Sequence, residues 1–423
     1  MKLRTIGLLF LFLTPVMAQV EGDGVSTSKV DAAANAYQQM ELLTEVLFQI
    51  KENYVEERTY EELIHGALAG LLSSLDPHSS FMEADEYEDL IDDTSGKYGG
   101  VGIHIGLRDG VLTVIAPIED TPGFRAGLQS GDKIVAIDGE STMSMSLRDA
   151  VNKMRGEKGA KIVLGILGEG DAEPKPVEII RDEINVLSVK GVRFLQGGIG
   201  YIRLVQFSEP TADMLAKEIA RLKGEGMKAL VLDLRGNPGG LLEQSVRVAS
   251  LFFEPGTLVV TTRGRGEAGK VVEYRAEGEA YDARMPLVVL VNEGSASASE
   301  IVAGVIQDHR RGILIGQTTF GKGSVQSVIG SRTDEASAIR LTTAYYYTPA
   351  ERKIHQVGVK PDIVVELSRD EWLHVQMKRA HQEVPDAFSA EELAEFADAV
   401  DHPLQRAVDL LQALLILDPQ GSK

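Results

Sequence analysis

Residues 292–300 read Asn292-Glu-Gly-Ser-Ala-Ser-Ala-Ser-Glu300, and residues 320–326 read Phe320-Gly-Lys-Gly-Ser-Val-Gln326. The first run follows an unbroken apolar stretch, 286–291, of the kind expected of a strand covered on both faces. It opens into residues at helical spacing, after which a second apolar stretch, 313–316, begins. Strand, turn, helix and strand form the repeating unit of a sheet with crossover helices. The same alternation extends outward: strand candidates at 199–204, 229–234, 258–262 and 338–347, helical runs at 211–223, 241–252 and 299–307. It predicts an α/β core over 185–368 with a largely parallel sheet.

The flanks differ in character. Between 98 and 184, apolar stretches at 101–105, 111–115, 133–137, 161–167 and 176–181 are separated by Gly and Asp turns, which predicts a small β-rich domain. Residues 19–97 form an N-terminal helical segment, rich in Ala, Leu, Glu and Gln over 27–94. Leu42, Leu43, Val46, Leu47 and Ile50 recur there at helical spacing, and a second helix over 60–75 is broken by Asp76-Pro77-His78. The apolar faces of these helices suggest self-association. Residues 369–423 are charged and then helical, a helical appendage.

Lys2 and Arg4 precede an apolar run over 6–16, and Val16-Met17-Ala18 supplies the small residues of a cleavage site. The run is too short to span a bilayer, so residues 1–18 read as a signal peptide. A periplasmic protein is expected, at most peripherally attached to the membrane. The chain of 423 residues has no cysteine and carries a formal charge of −20. Thiol nucleophiles, disulfides and thiolate metal sites are therefore excluded, and the acidic balance argues against nucleic-acid partners.

The hydroxyls of Ser295, Ser297 and Ser299 raise the question of a nucleophile, which needs a base because a free hydroxyl is weak. His309 would sit twelve residues along the helix from Ser297, about 18 Å away at about 1.5 Å per residue, too far to take its proton. His65, His78, His104, His374, His381 and His402 belong to other regions, and His355, in an expected hairpin, remains the one other candidate. Lysine replaces histidine where burial lowers its pKa. Lys322 suits that role, between Gly321 and Gly323 and after Phe320. The run Gly316-Gln-Thr-Thr-Phe-Gly321-Lys322 also matches the start of a phosphate-binding loop, but that loop next needs Ser or Thr, and this chain has Gly323. Leu232-Asp-Leu-Arg-Gly-Asn-Pro-Gly-Gly240 lies at a strand end, where glycines expose backbone N–H groups and an oxyanion hole can form.

In the β-rich segment, Tyr98-Gly-Gly-Val-Gly-Ile103 is a glycine loop entering a strand, suited to capturing a peptide's C-terminal carboxylate. Thr121-Pro122-Gly123, Ala126-Gly127-Leu128, Gly131-Asp132-Lys133-Ile134 and Ile137-Asp138-Gly139 follow. This segment resembles a PDZ domain. The resemblance implies that Gly99, Gly100, Val101, Gly102 and Ile103 line a groove for an extended C-terminus beside a helix over 146–155.

Taken together with Leu75-Asp-Pro-His-Ser79 and Gly358-Val-Lys-Pro-Asp362, these runs make the mature chain similar to the carboxyl-terminal processing proteases, serine endopeptidases of the S41 family. The resemblance implies a ClpP/crotonase-like core, a mixed sheet with flanking helices. In that family the middle serine of the run is the nucleophile and the lysine twenty-five residues later the base, matched here by Ser297 and Lys322. A glutamine one helical turn past the lysine orients its amine, matched by Gln326. The oxyanion hole uses the N–H after the nucleophile, Ala298, and one from Gly239 or Gly240. Ser295 and Ser299 are then turn and cap residues, with Glu300 in the first helical turn. No metal or cofactor is implied. Partners implied are protein substrates held by their C-termini, further copies of the chain, and, in some bacterial relatives, a helical-repeat lipoprotein adaptor. One position departs from the pattern: many relatives have Gly in Thr-Pro-x-Gly-Arg, where this chain has Glu351 before Arg352. The competing readings are a PDZ-bearing scaffold that binds protein tails without cutting, and a crotonase-like acyl enzyme.

Overall fold

The computed structural model describes residues 27–417, apart from 109, 119–120, 130, 169–170, 266–269, 279–283, 332–336 and 384–389. The expected signal peptide lies outside the described residues. The chain divides into two units, Met1–Ser74 and Leu75–Lys423. The first holds two helices, Thr27–Asn53 and Tyr60–Ser73. Thr59 and Glu62 form a reciprocal cap at the start of the second, satisfying two donors that the first turn leaves unpaired. Phe48 meets Tyr60 edge-on at 6.2 Å, yet Tyr37, Met40, Leu42, Val46 and Phe48 remain exposed.

In the second unit, the β-rich domain is an antiparallel sheet of Ile103–Arg108, Val111–Pro117, Lys133–Ile137, Lys161–Leu167 and Lys175–Ile180, with Glu140–Ser141 beside the third strand. The helix Leu147–Met154, capped by Ser146 and Asp149, packs on a core of Val114, Ile134, Ile137, Ile162 and Leu164. The strand expected from 101 starts instead at Ile103, because Gly102 takes φ +77°, outside the strand region.

The core sheet has six strands in the order Val189–Leu195, Ile199–Leu204, Ala229–Asp233, Leu287–Val291, Ile313–Gly316 and Ile363–Val364, parallel except for the first pair. Leu230, Leu232, Val289 and Val291 face the helices Thr211–Gly224, Leu242–Ser250 and Ala298–Asp308. Alternate residues Ala229, Val231, Val288 and Leu290 face Ala407 and Leu411 of His402–Leu417. The tail helix is therefore no appendage: it covers one face of the sheet, which would otherwise be exposed to water. The expected strands 258–262 and 338–347 lie elsewhere, as Leu258–Gly264 and Ala338–Tyr347 of a second, antiparallel sheet. That sheet also contains Ser80–Met82, Val272–Arg275 and Ser324–Gly330. The half-buried, Thr-bearing pattern of Ala338–Tyr347 suits a sheet with one wet face better than a doubly covered one. Glu351 takes φ +59° and pairs with Arg263.

Candidate active site

The serine run turns a strand into a helix. After Leu287–Val291, the Asn292 N–H donates to Ser295 Oγ at 3.0 Å, and Asn292 Oδ1 accepts from the N–H of Gly236 and Gly294 at 2.8 and 3.1 Å. Ser295 Oγ donates to the Leu234 carbonyl at 2.8 Å, and Ser299 Oγ to the Asn237 carbonyl at 3.0 Å. Both outer hydroxyls thus clamp the turn to the 234–237 loop. Ser297 between them has φ +54° and ψ −112° immediately before helix Ala298–Asp308. A non-glycine residue in that region is strained, a feature that concentrates at functional turns. Its hydroxyl meets the buried Tyr346 phenol, whose pKa is pushed up mainly by burial and lowered in part by this contact.

The loop carrying Gly239 and Gly240 runs against this turn. A Cβ at Gly239 would lie 2.8 Å from Ser297 Cβ and 3.0 Å from Ala298 N, so only glycine permits the approach. The Gly239 N–H donates to Asn237 Oδ1 at 2.9 Å. Among the described residues, the N–H groups of Gly240 and Ala298 have no hydrogen-bond partner.

Lys322 is placed by a residue whose role the sequence did not reveal. The buried Glu300 Oε2 accepts the N–H of Ser297 and the N–H of Lys322, each at 2.8 Å. Its Oε1 accepts the Gly321 N–H at 2.7 Å and the Thr319 hydroxyl at 2.5 Å. Thr319 Oγ1 already accepts the Val359 N–H, so its own hydrogen points to Glu300. Burial pushes the Glu300 carboxyl up, but with both oxygens accepting, we assign it as a carboxylate. Gly323 lies against the His355 backbone, where a Cβ would come within 2.2 Å, and this seats the segment. Burial lowers the Lys322 pKa, the Arg340 cation lowers it further, and Glu300 opposes both.

Gln326 lies on strand Ser324–Gly330 rather than one helical turn beyond the lysine, because residues 324–330 pair with Ala338–Tyr347. Its amide donates to Ser324 Oγ at 2.9 Å and Thr342 Oγ1 at 3.3 Å. Among the described residues no hydrogen bond joins Lys322 Nζ to Ser297 or to Gln326. His309 closes the helix that Ser297 precedes, its Nε2 at 2.9 Å from the Leu258 carbonyl. The His355 ring lies 4.8 Å from that of Tyr345, and its Nδ1 has no partner.

In the β-rich domain, Val101, Gly102 and Ile103 line a cavity of about 130 Å³ together with Tyr98, Val151 and Met154. It opens between the helix Leu147–Met154 and Ile103–Arg108, which is the edge strand of its sheet. Gly99 and Gly100, expected in the same groove, belong instead to the ribbon Lys97–Gly100, paired with Asp182–Asn185. Gly99 is pressed onto Gly156, where a Cβ would fall 2.1 Å from the carbonyl oxygen, so its place is fixed by packing.

Comparison with known proteins adds an independent line. Residues 198–365 match Peptidase family S41, 113–167 a PDZ domain, and 10–86 the N-terminal domain of the activating protease CtpB. The carboxy-terminal-processing protease of Bartonella bacilliformis is 44% identical over 338 residues, 78% of this chain and 76% of that protein. The carboxy-terminal processing protease CtpA of Bacillus subtilis is 34% identical, over 85% of this chain and 74% of its own. A solved Bacteroides fragilis protein assigned to the S41 proteases shares the fold with a TM-score of 0.50 at 17% identity, over 86% of this chain and 92% of that one. Identity of this extent across core and flanking domains leaves one conclusion: the chain belongs to the S41 carboxy-terminal processing proteases, serine-type peptidases that carry a PDZ domain.

Proposed function

We propose that Ser297 is the nucleophile and Lys322 its general base. The observation that carries this reading is the convergence of the Ser297 and Lys322 N–H groups on one oxygen of Glu300, which sets the two segments side by side. Neutral Lys322, favoured by its burial, takes the hydroxyl proton as Ser297 Oγ attacks a peptide carbonyl. The developing oxyanion is held by the N–H groups of Ala298 and Gly240; Gly239 shapes the turn, since its own N–H is already given to Asn237. The protonated lysine then gives its proton to the leaving amine, and water, activated by the same amine, releases the acyl group. Gln326 steadies the lysine once substrate turns its amide away from Ser324 and Thr342.

Substrates are presented by their C-termini, which add as a strand beside the free edge of Ile103–Arg108, with apolar side chains set against Val151 and Met154. The protein acts after export to the periplasm, as the charged and then apolar N-terminus suggests. The exposed apolar residues of its helical unit support self-association, and an adaptor would find its surface there too. The test is cleavage of casein, or of the chain itself, by purified protein. Wild type is expected to cut, while Ser297→Ala and Lys322→Ala keep the wild-type circular dichroism and do not. Cleavage retained by Ser297→Ala would overturn the assignment.

A further inference from the structure

We propose that the C-terminal tail is a positioning clamp on the loop that supplies an oxyanion donor, with Asp401 holding Arg235 and, through it, residues 236–240. The inference rests on reading Gly240 N–H as that donor.

Arg235 follows the strand Ala229–Asp233 and begins the loop. Its guanidinium is fully buried and held from two sides. Asp233 accepts from its Nε and Nη2 at 3.0 and 2.7 Å, and Asp401 accepts from its Nη1 and Nη2 at 2.7 and 2.8 Å. Two parallel bonds of this kind fix the plane of a guanidinium as well as its position. Asp401 is itself fixed where helix His402–Leu417 begins, accepting the Leu404 N–H at 3.2 Å.

The tail supplies two more groups. Arg379 donates to Asp233 Oδ2 at 3.2 Å, and the Trp372 ring lies 5.2 Å from the Arg235 guanidinium carbon and 4.8 Å from that of Arg379. Arg235 and Arg379 are balanced by Asp233 and Asp401, so the desolvated cluster is neutral only while Asp401 is ionised. Removing that carboxylate strands a cation in a site of low polarity. The Tyr201 hydroxyl completes the cluster, donating to Asp233 Oδ2 at 2.7 Å.

From Arg235 the loop runs directly to the site. The Gly236 N–H is held by Asn292, and the Asn237 side chain binds both the Leu204 carbonyl and the Gly239 N–H. The Asn237 carbonyl accepts from Ala296 N–H and Ser299 Oγ, on either side of Ser297. A shift of Arg235 therefore moves both Gly240 and the nucleophile turn. All three tail residues lie beyond 365, where the S41 match ends.

Asp401→Asn keeps the shape of the side chain and removes its charge. Loss of a whole oxyanion donor lowers kcat by about 10²–10³, so a displaced one should lower it by about tenfold. We expect that fall in kcat with KM unchanged. Affinity for a peptide aldehyde, whose adduct oxygen takes the oxyanion's place, should fall by a like factor. A merely structural role would lower the melting temperature and the active fraction while leaving aldehyde affinity per active site as in wild type, and that result overturns the proposal. Should Asp401→Asn fail to fold, Trp372→Phe, which keeps every charge, is read by the same two numbers. Ser297→Ala separates the failures. Activity in Ser297→Ala would refute the site itself, whereas an inactive Ser297→Ala beside a wild-type kcat in Asp401→Asn refutes only the clamp.

Discussion

Gly239→Ala tests the close approach of the glycine loop to the nucleophile turn. At φ +105° an alanine is strained, by about 1–2 kcal/mol for an L residue in left-handed backbone. Its Cβ would also come within 2.8 Å of both Ala296 O and Ser297 Cβ. Neither neighbour is the free end of a flexible side chain, so the relief must come from the loop backing away. Gly240 moves with it, and a lost oxyanion donor lowers kcat by about 10²–10³. The expected variant is folded, destabilised by about 1–3 kcal/mol, and close to a hundredfold slower in kcat with KM little changed. Gly278→Ala is the control: φ is +73° but nothing lies within 4 Å of the added carbon. It should lose about 1 kcal/mol of stability and keep its kcat. Steady-state kinetics on a chromogenic peptide, with urea unfolding of each variant, supplies the numbers. A wild-type kcat in Gly239→Ala refutes the geometry, as does an equal fall in the control.

Further outcomes follow from the electrostatics and the groove. Because Lys322 must be neutral to act, kcat/KM should rise with pH through a pKa that burial holds below the ordinary lysine value. Arg340→Gln removes a cation that lowers that pKa and should move the limb to higher pH. Glu300→Gln removes the anion that raises it and should move the limb lower, at a stability loss of about 1.5–3 kcal/mol for each charged hydrogen bond broken; limbs moving in the same direction contradict the assignment. Val151→Glu puts a charge into the apolar groove. Loss of one buried aliphatic contact, about 1.5–3 kcal/mol, should raise KM tenfold or more for a substrate with an apolar free C-terminus and leave a short ester unaffected. Equal effects on both substrates would place docking elsewhere.

The parallel sheet was legible because Leu-Val-Val-Leu-Val and Ala-Leu-Val-Leu are unbroken apolar runs, and such runs fit strands covered on both faces. The partner of Leu258–Gly264 was not, since a short apolar run names a strand without naming its neighbour. The tail was misread for a related reason. Asp401, Arg379 and Trp372 look like solvated charges and a lone aromatic until the fold brings Arg235 to them. Glu300 resembles any acid in a first helical turn, where the helix dipole favours it. Only the return of the chain at 319–322 shows what its second oxygen holds. The groove was half legible: glycines announced a tight loop, but which of them face the cavity depends on where the strand begins, and Gly102 sets that.

The pairing of Ser297 with Lys322 is tested most directly by trapping the acyl-enzyme. Rapid acid quench of the protein with an activated peptide ester, followed by digestion and fragmentation mass spectrometry, locates the acyl group among the three serines. The account predicts one acyl ester, on Ser297, and none in Lys322→Ala. An acyl group on Ser295 or Ser299, or undiminished acylation in Lys322→Ala, would contradict it.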